Sequence, residues 1–163
     1  MLNEVIFYSL EKTIKRYRQF AQAHIDHAGI DITIDQWLVL NVIRDSPELG
    51  QVEIGERIFK DQASVARIIE LLVKKKLIVR TPSASDRRKL DMQLTESGQR
   101  LMNVVTPIVH NYRRLALEGL NEKDIDQLKI ILDVIFTNCL STPHKHDTIR
   151  KTKLAGQPDA AGS

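Results

Sequence analysis

The 163-residue sequence predicts a mainly α-helical fold of six helices with one small β-hairpin between the fourth and the fifth. Three observations predict it. Apolar residues recur at three- and four-residue intervals through most of the chain. That period breaks at Leu77-Ile78-Val79-Arg80-Thr81, a β-branched run, and again at Leu90-Asp91-Met92-Gln93-Leu94, which alternates apolar and polar. Between the two lies Pro82-Ser83-Ala84-Ser85-Asp86, a stretch of turn chemistry. With 42% hydrophobic residues, a chain of this length can bury one substantial core and has little room for a second.

In the first predicted helix Leu2, Val5, Ile6, Leu10, Thr13, Ile14, Tyr17, Ala21, His24 and Ile25 share a face, and the helix ends near Gly29. Thr33 or Asp35 can cap the second, whose Ile34, Trp37, Leu38, Val42 and Ile43 are apolar and which Ser46-Pro47 closes. A short third helix is expected over Gln51 to Phe59, with Val52, Ile54 and Ile58 inward. Asp61 then caps a fourth that runs to about Lys75, with Val65, Ile68, Ile69 and Leu72 inward. Two short helices on a tight connection form a helix-turn-helix, and the two strands with their basic tip form a wing. Thr95 caps the fifth helix, whose Leu101, Val104, Val105, Ile108, Val109, Tyr112, Leu115 and Ala116 keep helical spacing. Pro107 should bend it, because proline lacks an N–H and crowds the preceding turn. The sixth starts at Asn121-Glu122-Lys123-Asp124 and turns Ile125, Leu128, Ile131, Leu132 and Ile135 inward.

The net charge of +3 identifies no partner, but its distribution is uneven. From Arg57 to Lys89 there are ten Lys or Arg against three acids, a local charge of +7 that leaves −4 for the rest of the chain. A basic segment inside an acidic protein is the footprint expected of phosphate contact; a solvated charged surface would look the same in composition. No basic stretch precedes an apolar run at the start, and nowhere do about 18 apolar residues follow one another, so neither an export signal nor a membrane span is expected. The single cysteine, Cys139, makes no intramolecular disulfide, which favours a reducing, cytoplasmic setting.

The element order resembles that of MarR-type regulators over roughly residues 4 to 140, and the local motifs sharpen the match. Val52-Glu53-Ile54-Gly55-Glu56-Arg57-Ile58 resembles the family's positioning helix, and Asp61-Gln62-Ala63-Ser64-Val65-Ala66-Arg67-Ile68-Ile69 its recognition helix. Lys76-Leu77-Ile78 is similar to the turn into the wing, Ser85-Asp86-Arg87-Arg88 to the wing-tip signature, and Leu94-Thr95-Glu96-Ser97-Gly98 to the segment leading out. Each motif is weak alone; their order and spacing are specific. Two positions depart from the pattern. Gly50 stands where the family often has a Thr or Ser cap, a change that capping tolerates. Gly55 stands where Ala is commoner, at a cost of about 1 kcal/mol inside a helix, for which close packing on the recognition helix would account.

The resemblance implies a homodimeric winged helix-turn-helix regulator of transcription, by family habit a repressor, on double-stranded DNA. Dimerisation helices are expected at 1–30 and 100–140, the DNA-binding lobe at 31–99 and a flexible tail at 141–163. Gln62, Ala63, Ser64 and Arg67 would face base edges: Gln pairs with adenine, Arg with guanine, and Ala meets a thymine methyl. For Ser64 the competing reading is helix-start polarity, and for Arg67 a phosphate contact or an internal ion pair. Arg87 and Arg88 would enter the minor groove, braced by Asp86. Lys60, Arg80 and Lys89 suit phosphate contact, while Lys74-Lys75-Lys76 competes between DNA and the helix dipole. Two half-sites would lie about one helical turn apart on a near-palindrome. The resemblance also implies a small aromatic effector in a pocket near the dimer helices, which Trp37 and Tyr17 could line, although both suit the core.

Other chemistries find little support. His24 and His27 share a helix face, and His144 and His146 lie in the tail, but neither pair has the further ligands that a metal site needs. Cys139 is expected to be an inert, half-buried thiol. No nucleophile with a base, no carboxylate pair and no glycine-rich phosphate loop marks an enzyme, and no cofactor is expected. The rival reading is a dimeric winged-helix protein-interaction module without operator binding, which would share the fold but need no basic middle.

Overall fold

The computed structural model describes residues 5–82 and 90–140. Its elements are α1 (Ile6–His27), α2 (Ile34–Asp45), α3 (Gln51–Ile58), α4 (Gln62–Lys74), β1 (Ile78–Pro82), β2 (Leu90–Leu94), α5 (Glu96–Ala116) and α6 (Glu122–Leu140). The kinds and the order are those expected from the sequence. Two compact units divide the chain at Glu118–Gly119. The first holds α1 to α5 with the hairpin, and the second holds α6.

The centre of the first unit is α2, which buries Ile34, Gln36, Trp37, Val39, Leu40, Val42 and Ile43 and touches α1, α3, α4, α5 and β2. Thr33 is its cap. The Thr33 hydroxyl accepts from the Gln36 N–H at 3.1 Å, and the Gln36 side-chain oxygen accepts from the Thr33 N–H at 3.2 Å. This capping box gives the buried Gln36 carbonyl its partner and leaves Asp35 available elsewhere.

Gly50 opens α3 without a side chain, so the Glu53 carboxylate supplies the cap by accepting from the Gly50 N–H at 2.7 Å. Gly55 has a steric reason. A Cβ there would lie 2.9 Å from the Lys60 carbonyl oxygen and 3.3 Å from Val65 Cγ2 on α4, so the two helices approach too closely for alanine. This is the close packing anticipated for that position.

α1, α3 and α4 each end on a left-handed residue: Gly29 after α1, Phe59 after α3 and Lys76 after α4, with φ of 68°, 55° and 58°. At each end two turn-closing bonds bind the last carbonyls, for example Lys76 N–H to Val73 O and Leu77 N–H to Leu72 O, at 2.9 and 3.0 Å. Only Gly29 of these adopts this backbone without a Cβ penalty; Phe59 and Lys76 each carry about 1 kcal/mol of it.

β1 and β2 pair antiparallel with Ile78 opposite Leu94, Arg80 opposite Met92 and Pro82 opposite Leu90. Ile78 and Met92 are buried, which fixes the register, since a slip of either strand by one residue would turn its own buried side chain to solvent. β1 begins one residue later than the sequence suggested, because Leu77 completes the turn out of α4. The wing tip, residues 83–89, and the expected tail, residues 141–163, lie outside the described residues.

Thr95 joins wing to α5: its hydroxyl accepts from the Gly98 N–H at 3.0 Å and donates to the Lys76 carbonyl at 2.7 Å. α5 buries Gly98, Met102, Val105, Val109 and Tyr112 and packs on α1. Val104, expected inward, is 58% exposed because it falls to one side of that stripe. The helix runs through Pro107 unbroken.

α6 opens on a reciprocal cap, with the Asn121 N–H donating to Asp124 Oδ2 at 3.0 Å and the Asp124 N–H to Asn121 Oδ1 at 3.1 Å. The expectation that it turns an apolar face into a core is corrected: none of its residues is buried. Ile125 and Ile135 are half-buried, and Leu128, Ile131 and Leu132 are exposed. The periodicity is real, but a helix can bury such a face only against another surface.

Candidate nucleic-acid interface

Asp61 builds the start of α4. Its carboxylate accepts from the Ser64 N–H at 2.8 Å and from the Ser64 hydroxyl at 2.7 Å, so one side chain caps the helix and orients another. Those bonds, the hydroxyl's first and the N–H's second, hold the Asp61 carboxyl below its ordinary value. Ser64 is thus half-buried helix-start structure, although its oxygen keeps lone pairs for a further donor.

Val65, Ile69 and Leu72 anchor the inner side of α4. Ala63 and Arg67, one turn apart, lie on the opposite side and are exposed, as are Gln62 at the first position and Glu70 and Lys74 further along. The structure therefore brings Gln62, Ala63, Ser64 and Arg67 together at one end of one helix. Arg67 makes no hydrogen bond or ion pair among the described residues, so the internal salt bridge weighed for it is not found there. Glu70, which in the sequence reads only as one acid within the basic segment, is exposed on the same helix. Its place three residues beyond Arg67 puts an acceptor suited to cytosine N4 on the same face.

The cations divide. Arg80 is exposed on β1. The ammonium of Lys60 instead lies 3.0 Å from Asp35 Oδ2, and Asp35 also accepts from Arg18 on α1. Burial works to raise the Asp35 carboxyl, but the hydrogen bonds and charges of Lys60 and Arg18 outweigh it and leave the group below its ordinary value. No local signal could have shown this pairing, since its members are 17 and 25 residues apart in the chain. Asp86, Arg87, Arg88 and Lys89 lie outside the described residues.

Trp37 and Tyr17 belong to the packed interior of the first unit. Trp37 is 7% exposed with the Arg113 guanidinium 5.2 Å from its ring, and its indole N–H has no acceptor among the described residues. Tyr17 stands edge-on to Tyr112 with ring centroids 6.1 Å apart, and burial, followed by Tyr17, pushes the Tyr112 hydroxyl up to about 12. His24 is structural: its Nδ1 is 2.9 Å from the Phe20 carbonyl oxygen. Cys139 is exposed rather than half-buried. Among the described residues no group of three His, Cys, Asp or Glu could hold a metal, and no helix is long and apolar enough to cross a membrane.

Comparison with known proteins places this geometry. The MarR family profile matches residues 30–89, from before α2 to the far side of the wing tip. The transcriptional regulator SarZ of Staphylococcus epidermidis is 31% identical over 104 residues, 63% of this chain and 66% of its own length. Among solved structures, a protein with unknown function from Listeria innocua is 32% identical with a TM-score of 0.63, covering 82% of this chain and 91% of that one. BpsR of Bordetella bronchiseptica, whose DNA binding is regulated by 6-hydroxynicotinic acid, is 26% identical with a TM-score of 0.73, over 81% and 93% of the two chains. The capped recognition helix, the register of the wing strands and these likenesses agree: the chain belongs to the MarR family of winged helix-turn-helix transcriptional regulators.

Proposed function

We propose that this chain represses transcription by binding duplex DNA as a homodimer on a pseudo-palindromic operator. The observation that carries the reading is the outward face of α4. It is capped at Asp61, anchored by Val65, Ile69 and Leu72, and presents Gln62, Ala63 and an Arg67 without a partner among the described residues. An α-helix fits the major groove, and its first turns reach base edges. Arg87 and Arg88 at the wing tip would enter the adjacent minor groove with Asp86 as brace, and Arg80 and Lys89 would meet phosphates. The apolar residues that α6 leaves exposed, with Val5, Ile6, Phe7 and Ile14 at the start of α1, support a dimer that a second copy completes.

A small aromatic effector would release the operator by favouring one spacing of the two recognition helices over another. The regulation of BpsR DNA binding by 6-hydroxynicotinic acid supports this class of ligand. The experiment is selection of bound duplex fragments from the native genome at near-physiological salt. A shared near-palindrome with half-sites about one helical turn apart is expected. Absence of duplex binding even at low salt would overturn the reading in favour of a protein-interaction module.

A further inference from the structure

We infer that Asp35 is a positioning residue for DNA binding, a node that ties the start of the recognition helix to α1 through Lys60 and Arg18. The inference rests on the DNA-binding reading and adds to it how the reading head is aimed. Three elements meet at this carboxylate. Asp35 sits in the first turn of α2, Arg18 in the middle of α1, and Lys60 one residue before Asp61, the cap of α4. Both cations reach it, Lys60 at 3.0 Å. The Asp35 side chain is 24% exposed and that of Lys60 29%, sheltered enough for the pairing to hold better than a surface bridge.

A second tether lies at the other end of α4. Lys75, the residue that closes the helix, donates to the Asp31 carbonyl and lies 2.9 Å from Asp31 Oδ2. Residues 31 and 35, at the junction between α1 and α2, therefore hold both ends of the recognition helix. The two tethers are unequal. The Asp31 side chain is 96% exposed, so water and salt weaken its bridge to almost nothing, whereas the Asp35 node is shared by two cations and partly shielded. Asp35 is the point at which a shift of α1 would be passed to the base-reading residues, and Lys60 serves to aim α4 rather than to meet phosphate.

The test compares wild type with Asp35→Asn, Asp35→Glu and Lys60→Met. The measurements are affinity for a genome-selected operator and for random duplex, each over a salt series, with amide hydrogen exchange of residues 61–67 in the free protein. Asp35→Asn and Lys60→Met are each expected to lose about tenfold in operator affinity. Both should keep the salt slope, because no phosphate contact is removed, and Asp35→Asn should bind random duplex about as well as wild type, because only the aim of α4 is lost. Exchange at the start of α4 should quicken in both variants, and Asp35→Glu should restore affinity and protection. A fall in the salt slope by about 1 for Lys60→Met would show a phosphate contact and overturn the inference. So would unchanged exchange together with unchanged operator affinity. If wild type binds no duplex, the DNA-binding reading fails, and the exchange measurement alone decides whether Asp35 holds the helix.

Discussion

Gly98→Ala is expected to destabilise the protein by about 3 kcal/mol and to lower its Tm by roughly 10 °C at fixed protein concentration. Alanine would ordinarily help a helix by about 1 kcal/mol over glycine. Here the added Cβ would stand 2.1 Å from the Leu77 carbonyl oxygen, a distance real Cβ atoms essentially never show, and 3.1 Å from its carbon. The obstacle is backbone, so no side chain can rotate away. Relief requires α5 to draw back from the turn between α4 and β1, which breaks the Thr95 N–H bond to Leu77 O at 3.0 Å and strains the hydroxyl bond to Lys76 O. The wing would lose its fixed angle to α4. Gln99→Ala, next in the chain and exposed, should change stability by no more than about 0.5 kcal/mol. Thermal melts of the two variants check the contrast, and equal midpoints would show that the Gly98 site is not confining.

Arg67→Ala should cost about 1–3 kcal/mol against the preferred operator and relax base preference at one position of each half-site. Its effect is expected to be large because the side chain stands on the face opposite the buried stripe of α4 and has no partner among the described residues to compete with a base. Arg87→Ala and Arg88→Ala should weaken binding to every sequence, and each should reduce the salt slope by about 1. Gel-shift titrations over a salt series and a set of single-base operator variants separate the two behaviours. Uniform weakening by Arg67→Ala, with base preference intact, would reassign it to phosphate.

The helices and hairpin were legible in the sequence because each carries local signals: caps at Thr33, Asp61 and Thr95, and periods that switch from helical to alternating at Leu77. Gly55 was legible too, since a helix-weakening residue inside a helix has to be explained by what it touches. What stayed hidden depends on distance along the chain. Lys60 reads as a free cation until the fold delivers Asp35 to it from 25 residues away. α6 shows an apolar period that promises burial, yet periodicity cannot say whether the covering surface belongs to the same chain, and here Leu128, Ile131 and Leu132 stay open. Gly98 reads only as part of a motif; the carbonyl of Leu77 that forbids a side chain there comes from the other side of the wing.

The most direct measurement is a hydroxyl-radical footprint of the wild-type protein on a selected operator, repeated with Arg67→Ala and with Arg87→Ala. Protection should fall on a major groove and its flanking minor groove in each half-site, related by two-fold symmetry. Arg87→Ala should uncover the minor-groove positions alone. Protection confined to one groove, or minor-groove protection that survives Arg87→Ala, would contradict a recognition helix and wing that grip neighbouring grooves of the same duplex.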